Sequence, residues 1–452
     1  MIPEPDYRDG ETITVSFGAS AFKSDKRRWL VLLALSLGLL MNGELWMTFD
    51  TVKDQTKTFF NASDSSVQFF FTVFLTSYSI AAVPCVILPQ VIGSTATLVF
   101  GCFFNLLASA FRCLVLFVIE RNKKAALALA LIGNGSGGVA MAFIFSIPTL
   151  ISSIWFGDNE RSISTSIPFM SNSFGVGLGY LDIFLIMGSS TDLKIIKHSF
   201  SRVFIFEVVI CGATFLLSLA AGFVCRSSQI NALGTNKTAI SKTLSTKSLI
   251  KQTLMETCKV FKNPAAIYSL VAFTFNYGNY MILFVFLSDI VTHFVKNESS
   301  VTGYIGSAGV IIGGFNTLIA GIVMNKTRDK KILCGIIVNL ILAVFLIVVI
   351  IVISLSAFNN VSAMILFITI ISFCPVYMAV GTEILAQITH PIDPNLSSTP
   401  AFIFGNIFGA IMPLILALFA EYIRFYIIMG FCIVLYLLSA IFLVVISKKR
   451  RE

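Results

Sequence analysis

Apolar residues recur along this chain in about twelve long runs, separated by short polar stretches. A helix that spans a bilayer needs about 20 mostly apolar residues, and most of these runs reach that length. They lack the strict alternation of a transmembrane strand, so the pattern predicts helices. We place the predicted helices 1 to 12 at 29–52, 66–90, 95–119, 125–156, 164–188, 202–225, 264–291, 302–324, 332–356, 362–386, 398–420 and 422–447.

Three motifs within these runs recur at one fixed offset of 234 residues, in three different pairs of helices. Parallel repeats in an apolar chain are typical of transporters built from two like halves around a central site. We therefore expect an all-α membrane protein with twelve transmembrane helices in two pseudo-symmetric six-helix bundles. The pairs are Asn42-x-x-x-Trp46-Met47 with Asn276-x-x-x-Tyr280-Met281, Gly101-x-x-x-Asn105-Leu106 with Gly335-x-x-x-Asn339-Leu340, and Ser164-Thr165…Asn172-x-Phe174-Gly175 with Ser398-Thr399…Asn406-x-Phe408-Gly409.

Composition supports a membrane environment and argues against an enzyme. Apolar residues make up 56% of the chain and charged residues 12%, with a mean hydropathy of +0.88. A soluble domain carries about a quarter charged residues. The sequence has no kinase loop, nucleophile elbow, Walker signature or Cys/His cluster, and its three histidines lie at predicted helix ends or in loops. We therefore expect neither catalysis nor a cofactor or metal.

Basic residues set the expected orientation. Most of the 32 Lys and Arg residues fall in the N-terminal tail, the even-numbered loops and the C-terminal end, so both termini are predicted to be cytoplasmic. The net charge of +9 then reflects topology and attraction to an anionic inner leaflet, not nucleic-acid binding. The predicted parts are an N-terminal tail at 1–28, a bundle at 29–225, a cytoplasmic linker at 226–262, a second bundle at 263–447 and a tail at 448–452.

The linker is rich in Ser, Thr and Lys, which favours a mobile tether. The alternative is a short amphipathic helix around Leu249–Met255 that lies on the membrane. Three Asn-x-Ser/Thr sequons fall in predicted outer loops, where glycans would support the topology. They are Asn61, Asn297 and Asn360.

The polar chemistry left in the chain points to recognition inside a cavity. Trp46 and Tyr280 are the pseudo-equivalent aromatics of helices 1 and 7, and an aromatic pair at the centre would hold an organic cation by cation–π attraction of ~2 kcal/mol. Asp50 lies one turn beyond Trp46 on the same face and would attract cations. The alternatives are an interfacial position for the two aromatic rings and a solvated helix end for Asp50.

Charged residues within apolar runs usually face a cavity or a partner. Asp182 and Glu383 are candidates for a cavity or proton-coupling role, as is Asp50, while Arg112 is expected to form a structural pair with one of the acids. Asn172 and Ser173 on helix 5 would contact substrate or bond neighbouring helices. The remaining acids inside apolar runs are Glu44 and Glu207.

Several motifs resemble the feline leukaemia virus subgroup C receptor-like solute carriers of the major facilitator superfamily, over about 28–420. The segment most similar to that family covers helices 4 and 5. The matching residues are Trp155-Phe156-Gly157-x-Asn159-Glu160, Asn172-x-x-Gly175 and Gly179, with Arg28-Trp29-x-Val31-Leu32-Leu33 and Asn42-x-x-x-Trp46 in helix 1, Phe261-Lys262-Asn263 before helix 7, Asn276 and Gly278 within it, and Gly381-x-Glu383 and Thr389-x-Pro391 near helix 10.

This resemblance implies transport of small metabolites: choline and ethanolamine in some members, haem or a vitamin in others. It implies a choline site formed by Trp46 and an aromatic of helix 7. Ungapped alignment puts the family's helix-7 tyrosine at Met281, one position after Tyr280, and the family's Asn-Gln pair at Asn172-Ser173. Asn276 belongs to the same helix-7 motif.

We therefore predict a monomeric transporter in the lipid bilayer that moves a small molecule by alternating access, with choline or ethanolamine as the expected substrate. The plasma membrane is favoured over an internal compartment. Two alternatives stay open, namely a carrier of haem or another nutrient and a transport-dead receptor or sensor on a transporter fold. The predicted substrate contacts are Trp46, Tyr280, Met281, Asn172, Ser173, Asn276 and Glu383.

Overall fold

The structure is a computed structural model that describes residues 26–449, apart from 50, 158, 188–191, 233–245, 288–298, 328–329, 355–359, 417–418 and 420. Its regular elements are helices, and no strand occurs among the residues just given. The N-terminal half contains α1 (Arg28–Met47), α2 (Lys53–Phe60), α3 (Asp64–Cys85), α4 (Leu88–Ile92), α5 (Ser94–Val118), α6 (Lys123–Phe145), α7 (Pro148–Trp155), α8 (Arg161–Met187) and α9 (Leu193–Ala232).

The C-terminal half begins with a helix inside the predicted linker and continues with seven further helices. These are α10 (Thr246–Lys262), α11 (Pro264–Val285), α12 (Ser299–Lys326), α13 (Lys331–Ser354), α14 (Asn360–Phe373), α15 (Val376–Thr389), α16 (Pro394–Leu416) and α17 (Glu421–Lys449).

Each of the twelve predicted segments corresponds to one helix or to a broken pair. Predicted helix 4 is divided into α6 and α7 just before Pro148, and predicted helix 10 into α14 and α15 at Pro375. Proline has no backbone N–H and its ring clashes with the preceding turn, so a helix ends there and a new one starts. The twelve-helix prediction is confirmed. A hydropathy pattern does not reveal these two breaks, nor the break at 86–87 that divides predicted helix 2 between α3 and α4.

Nine helical stretches within the described ranges are long and apolar enough to cross a membrane, and Phe69–Cys85 is a shorter apolar one. α11 is not among the nine, although it is 22 residues long. It carries Asn276, Tyr277, Asn279 and Tyr280 in succession, all buried. Their polar groups lower the mean hydropathy of α11. The helix tolerates them because they are buried in the protein interior and do not face lipid.

The sequence repeat is also a repeat of contacts. Asn42 on α1 donates from Nδ2 to Oδ1 of Asn105 on α5 at 2.9 Å, and Asn276 on α11 donates to Asn339 on α13 at 2.9 Å. Packing follows the same rule, since α1 packs on α8 as α11 packs on α16, and α5 packs on α9 as α13 packs on α17. The two bundles meet where α8 packs on α12 and α3 on α16.

Close approach of α1 and α8 depends on glycine. A Cβ on Gly175 would lie 1.8 Å from the carbonyl oxygen of Leu40, and a Cβ on Gly43 would lie 2.5 Å from the carbonyl oxygen of Asn172. Glycines at such crossings let two helix backbones pack directly against each other. This contact positions Trp46 and Asn172, which come from the two helices.

The predicted linker is more ordered than a tether. α9 extends to Ala232, past the predicted bundle end at 225, and α10 occupies 246–262. The preference for a plain tether was therefore wrong for 246–262, and the helical alternative describes this part. α10 packs against α4, α11 and α16 and buries Val260, which gives it an apolar face to fold on.

Candidate functional site

A cavity lies between the two bundles. Its volume is about 10 Å³, roughly the space for one water molecule. Both halves of the chain contribute to its wall. The lining residues are Asn42, Gly43 and Trp46 of α1, Phe74 and Leu75 of α3, Met141 and Phe145 of α6, Asn172 of α8, Tyr277, Tyr280 and Met281 of α11, and Met378 of α15.

The two predicted aromatics lie at this cavity and not in lipid. Trp46 is 7% exposed and Tyr280 is 2% exposed, so the interfacial alternative does not apply to either ring. Phe284 joins them, because its ring centroid lies 6.2 Å from that of Trp46 in a stacked arrangement and 4.6 Å from that of Tyr280. Tyr277 lies 6.0 Å from Tyr280 and extends the aromatic wall.

The polar groups at the cavity are few and specific. Asn42 donates to Asn105 and to the carbonyl of Gly137, both at 2.9 Å, and Asn172 donates to the carbonyl of Leu39 at 3.1 Å. The Nε1–H of Trp46 is buried and has no hydrogen-bond partner in the described structure. A buried indole N–H normally has an acceptor, so this donor is available to a ligand oxygen.

Not every predicted substrate contact reaches the wall. Trp46, Tyr280, Met281 and Asn172 line the cavity. Ser173 turns back to its own helix, where its hydroxyl donates to the carbonyl of Phe169 at 3.1 Å. Asn276 faces α13 through its bond to Asn339. A direct substrate contact by Ser173 or Asn276 stays a prediction that these bonds do not support.

Sequence reasoning missed most of the remaining wall. Tyr277 is one turn before Tyr280, so helical spacing offered a signal for it. Phe74, Phe145 and Met378 carry no such signal, because single Phe and Met residues in apolar helices look the same whether they face a cavity, a neighbouring helix or lipid.

Glu383 is not among the lining residues and makes a different kind of contact. Its carboxylate lies 2.7 Å from Nζ of Lys331 on α13 and accepts from Thr165 Oγ1 on α8 at 2.8 Å. Ser162 of α8 donates to it at 3.4 Å. Glu383 therefore links the C-terminal bundle to the N-terminal one on the predicted cytoplasmic side, and its role at the substrate stays a prediction.

Further polar contacts cross between the halves on the same side. Gln90 bonds Asp393, Asn325 bonds the carbonyl of Asn159, and Asn395 donates to the carbonyl of Val86 at 2.9 Å. We call these contacts and those of Glu383 the cytoplasmic-side cluster. They hold the two bundles together below the cavity.

Five further predicted positions are two acids and three glycosylation sequons. Asp50 and Asn297 lie outside the described residues, and Asp182 lies within α8 with a side chain that is also outside them. Asn61 is exposed and ends α2 in a left-handed conformation, with φ 51° and ψ 51°. Asn360 is the first residue of α14. Roles for these five residues stay predictions.

A family model described as Major Facilitator Superfamily matches residues 27–390, which is most of the chain. The chain belongs to the Major Facilitator Superfamily. Members of this superfamily are membrane transporters, so the chain is an integral, multi-pass membrane transporter and not an enzyme. The all-α fold with two pseudo-symmetric bundles agrees with that membership.

Within the superfamily the chain is similar to choline/ethanolamine transporters. Choline/ethanolamine transporter FLVCR2 of Rattus norvegicus is 24% identical over 398 residues, 87% of this chain and 69% of that protein. The Homo sapiens protein of the same name is 23% identical over 397 residues, 87% and 72% of the two chains. Solute carrier family 49 member A3 of Xenopus tropicalis is 28% identical over 174 residues, 37% and 35%. The predicted family resemblance is confirmed.

Solved structures share the fold of this Major Facilitator protein. The proton:xylose symporter XylE bound to 6-bromo-6-deoxy-D-glucose has a TM-score of 0.66 at 14% identity, covering 92% of this chain and 95% of that one. The E. coli fucose:proton symporter FucP has a TM-score of 0.63 at 12% identity, covering 92% and 99%. At these identities the likeness concerns the fold alone.

Proposed function

We propose that this Major Facilitator transporter moves choline, ethanolamine or a similar small organic cation, and does so by alternating access at the central cavity. The observation that carries the proposal is the aromatic wall, to which Trp46 of one half and Tyr280 of the other both contribute. Similarity to two proteins named choline/ethanolamine transporters supports the same substrate class.

The wall has the chemistry that an alkylammonium group requires. Five of its residues are aromatic and three are methionine, and no charged side chain lines it in the described structure. An ammonium held without a carboxylate depends on the negative faces of aromatic rings, which contribute ~2 kcal/mol or more per desolvated contact. The Nε1–H of Trp46 would donate to the substrate hydroxyl, which choline and ethanolamine share.

The cavity explains why movement of the bundles is required. A volume near 10 Å³ holds about one water and cannot hold choline. Phe284 closes the gap between Trp46 and Tyr280, and the cytoplasmic-side cluster ties the bundles together at the other end. Substrate entry therefore requires the bundles to separate on one side at a time, as in alternating access.

Uptake of radiolabelled choline into vesicles that contain the purified protein tests the proposal. We expect saturable uptake, a loss of affinity of roughly 30-fold in Trp46→Ala from the missing cation–π contact, and a smaller loss in Trp46→Phe, which keeps a ring but lacks the N–H. Trp29→Ala is the matched control, because that indole is half exposed at the start of α1 and does not line the cavity.

The outcomes separate the alternatives. Choline that raises the melting temperature without any flux would indicate a receptor or sensor and contradict the transporter proposal. Absence of both binding and flux, or uptake that is indifferent to Trp46→Ala, would remove choline as the substrate. A haem carrier would need an iron ligand at the cavity; the described lining residues offer two tyrosines and three methionines, and neither His nor Cys is among them.

A further inference from the structure

The linker helix α10 buries one side and leaves apolar side chains on the other. Thr253 and Val260 are buried, on the side by which α10 packs against α4, α11 and α16. At about 100° per residue, Leu254 and Met255 flank the middle of the opposite side, and they are 49% and 51% exposed. α10 therefore presents large apolar side chains that none of the three packed helices covers.

Three lysines surround these two apolar side chains. Lys251, Lys259 and Lys262 are exposed, and none of them forms an ion pair with an acid among the described residues. Glu256 is the sole acid within 250–262, and it is only partly exposed. The result is an apolar strip with a positive border. We call this surface the exposed face of α10 and define it by Lys251, Leu254, Met255, Lys259 and Lys262.

The C-terminal end of α10 reaches a surface that contacts lipid. The ring of Phe261 meets that of Phe404 on α16 edge to face, with the ring centroids 6.2 Å apart. α16 is long and apolar enough to cross a membrane, and Phe404, Ile407 and Ile411 are exposed along one of its sides. Apolar side chains exposed on a membrane-spanning helix lie against acyl chains. Phe261 therefore joins α10 to the lipid-facing surface of the C-terminal bundle.

The connection to α11 holds the same end of α10 at the membrane boundary. Asn263 is the single residue between the two helices, and its Oδ1 caps α11 by accepting from the backbone N–H of Ala265 at 3.0 Å. A helix with an apolar strip and a basic border lies in the plane of a membrane surface when it is held there. Lysine stems are long enough to reach the headgroups while the apolar side chains enter the acyl boundary.

We propose that the exposed face of α10 docks on the anionic headgroups of the cytoplasmic leaflet. Its two apolar side chains enter the boundary between headgroups and acyl chains, and its three lysines pair with the negative groups of the lipids. The sign of the charge agrees with the predicted orientation, because the linker is expected on the cytoplasmic side and that leaflet is anionic. Contact of Phe261 with Phe404 favours a membrane over an acidic protein, since this end of α10 already lies beside the lipid-facing surface.

Hydrogen exchange of the full-length protein in lipid nanodiscs tests the docking at the helix itself. We expect the amides of 250–262 to exchange about tenfold more slowly in discs that contain phosphatidylserine and phosphatidylcholine than in discs of phosphatidylcholine alone. The combined variant Lys251→Gln, Lys259→Gln and Lys262→Gln should lose this difference. Leu254→Gln with Met255→Gln should weaken the protection in both kinds of disc, because the apolar anchor is removed.

The combined variant Arg121→Gln, Lys123→Gln and Lys124→Gln is the matched control. These three cations are exposed between α5 and α6 and at the start of α6, on the predicted outer side. The control removes the same charge as the lysine variant of α10 but at a distant place, so it should keep the wild-type difference between the discs. Soluble glycerophosphoserine carries the headgroup charge without a bilayer and should leave the exchange of α10 unchanged.

Other results would overturn docking on lipid. Equal exchange of α10 in the two kinds of disc would mean that headgroup charge has no part in covering this face. Full protection in detergent without lipid would indicate that protein covers the face, and protection by glycerophosphoserine alone would indicate an anion site. The comparison of discs with wild type needs no variant, so it decides the proposal even where a substituted protein fails to fold.

Discussion

Asn42 and Asn276 occupy the same place in the two halves and donate the same bond, but only Asn42 also borders the cavity. We expect Asn42→Ala and Asn276→Ala to destabilise the protein to a similar extent, by about 1–3 kcal/mol, because each leaves a buried amide partner without its donor. Thermal unfolding in detergent measures this effect.

Choline affinity should separate the same two variants. Asn42→Ala changes the cavity wall and should weaken choline binding, whereas Asn276→Ala should change affinity less, because Asn276 faces α13. Equal losses of affinity would show that Asn276 contributes to substrate binding after all, as the helix-7 motif predicts.

Among the residues at the cavity, those with a polar or pseudo-symmetric signal were predictable. Trp46 and Tyr280 stand at equivalent positions of the repeat, and Asn172 is an amide in an apolar helix. Ser173 and Asn276 carried the same signals but face other helices. Rotation of a helix about its axis decides between these cases, and composition does not report rotation.

At the scale of elements, the crossing of α1 and α8 is the most sensitive contact. We expect Gly175→Ala to reduce the melting temperature and the folded yield sharply, because its Cβ would overlap the Leu40 backbone, which cannot move aside as a side chain can. Thermal unfolding and size-exclusion profiles measure the effect.

Gly430→Ala is the matched control on α17. A Cβ at Gly430 meets nothing within 4 Å, and alanine is a better helix former than glycine by about 1 kcal/mol. This variant should be neutral or slightly more stable. A Gly175→Ala protein as stable as Gly430→Ala would contradict the close approach of α1 and α8.

Helix positions followed from local composition, but two kinds of boundary did not. The breaks before Pro148 and at Pro375 lie inside apolar runs, and α10 lies in a stretch whose composition favoured a tether. α10 gains its order by packing on α4, α11 and α16, which are distant in sequence. Such tertiary stabilisation is invisible to a composition argument.

At the scale of the whole molecule, Glu383 makes contacts that hold the two bundles together on the predicted cytoplasmic side. We expect Glu383→Gln to loosen the predicted cytoplasmic side, because the charge that compensates Lys331 and accepts from Thr165 is lost. Hydrogen exchange should rise about tenfold at the ends of α8 and α15 that meet there, equivalent to about 1.4 kcal/mol of easier opening.

Glu160→Gln provides the comparison for this opening. Glu160 pairs with Arg28 at 2.6 Å on the same side, but both residues belong to the N-terminal half. Its loss should therefore leave exchange between the bundles nearly unchanged. Equal acceleration in the two variants would mean that Glu383 acts through local stability and not by joining the bundles.

Sequence alone determined the membrane environment, the all-α fold class, the internal duplication and the family. Each of these depends on residues that are close in sequence or that recur at a fixed offset. An apolar run of sufficient length must be helical in lipid, whatever its neighbours. Only the tertiary structure decided that Glu383 meets Thr165 across the bundles and that Arg112 and Glu207 form a buried ion pair. These residues lie on different helices, and the angles and rotations at which helices pack are set by the whole core.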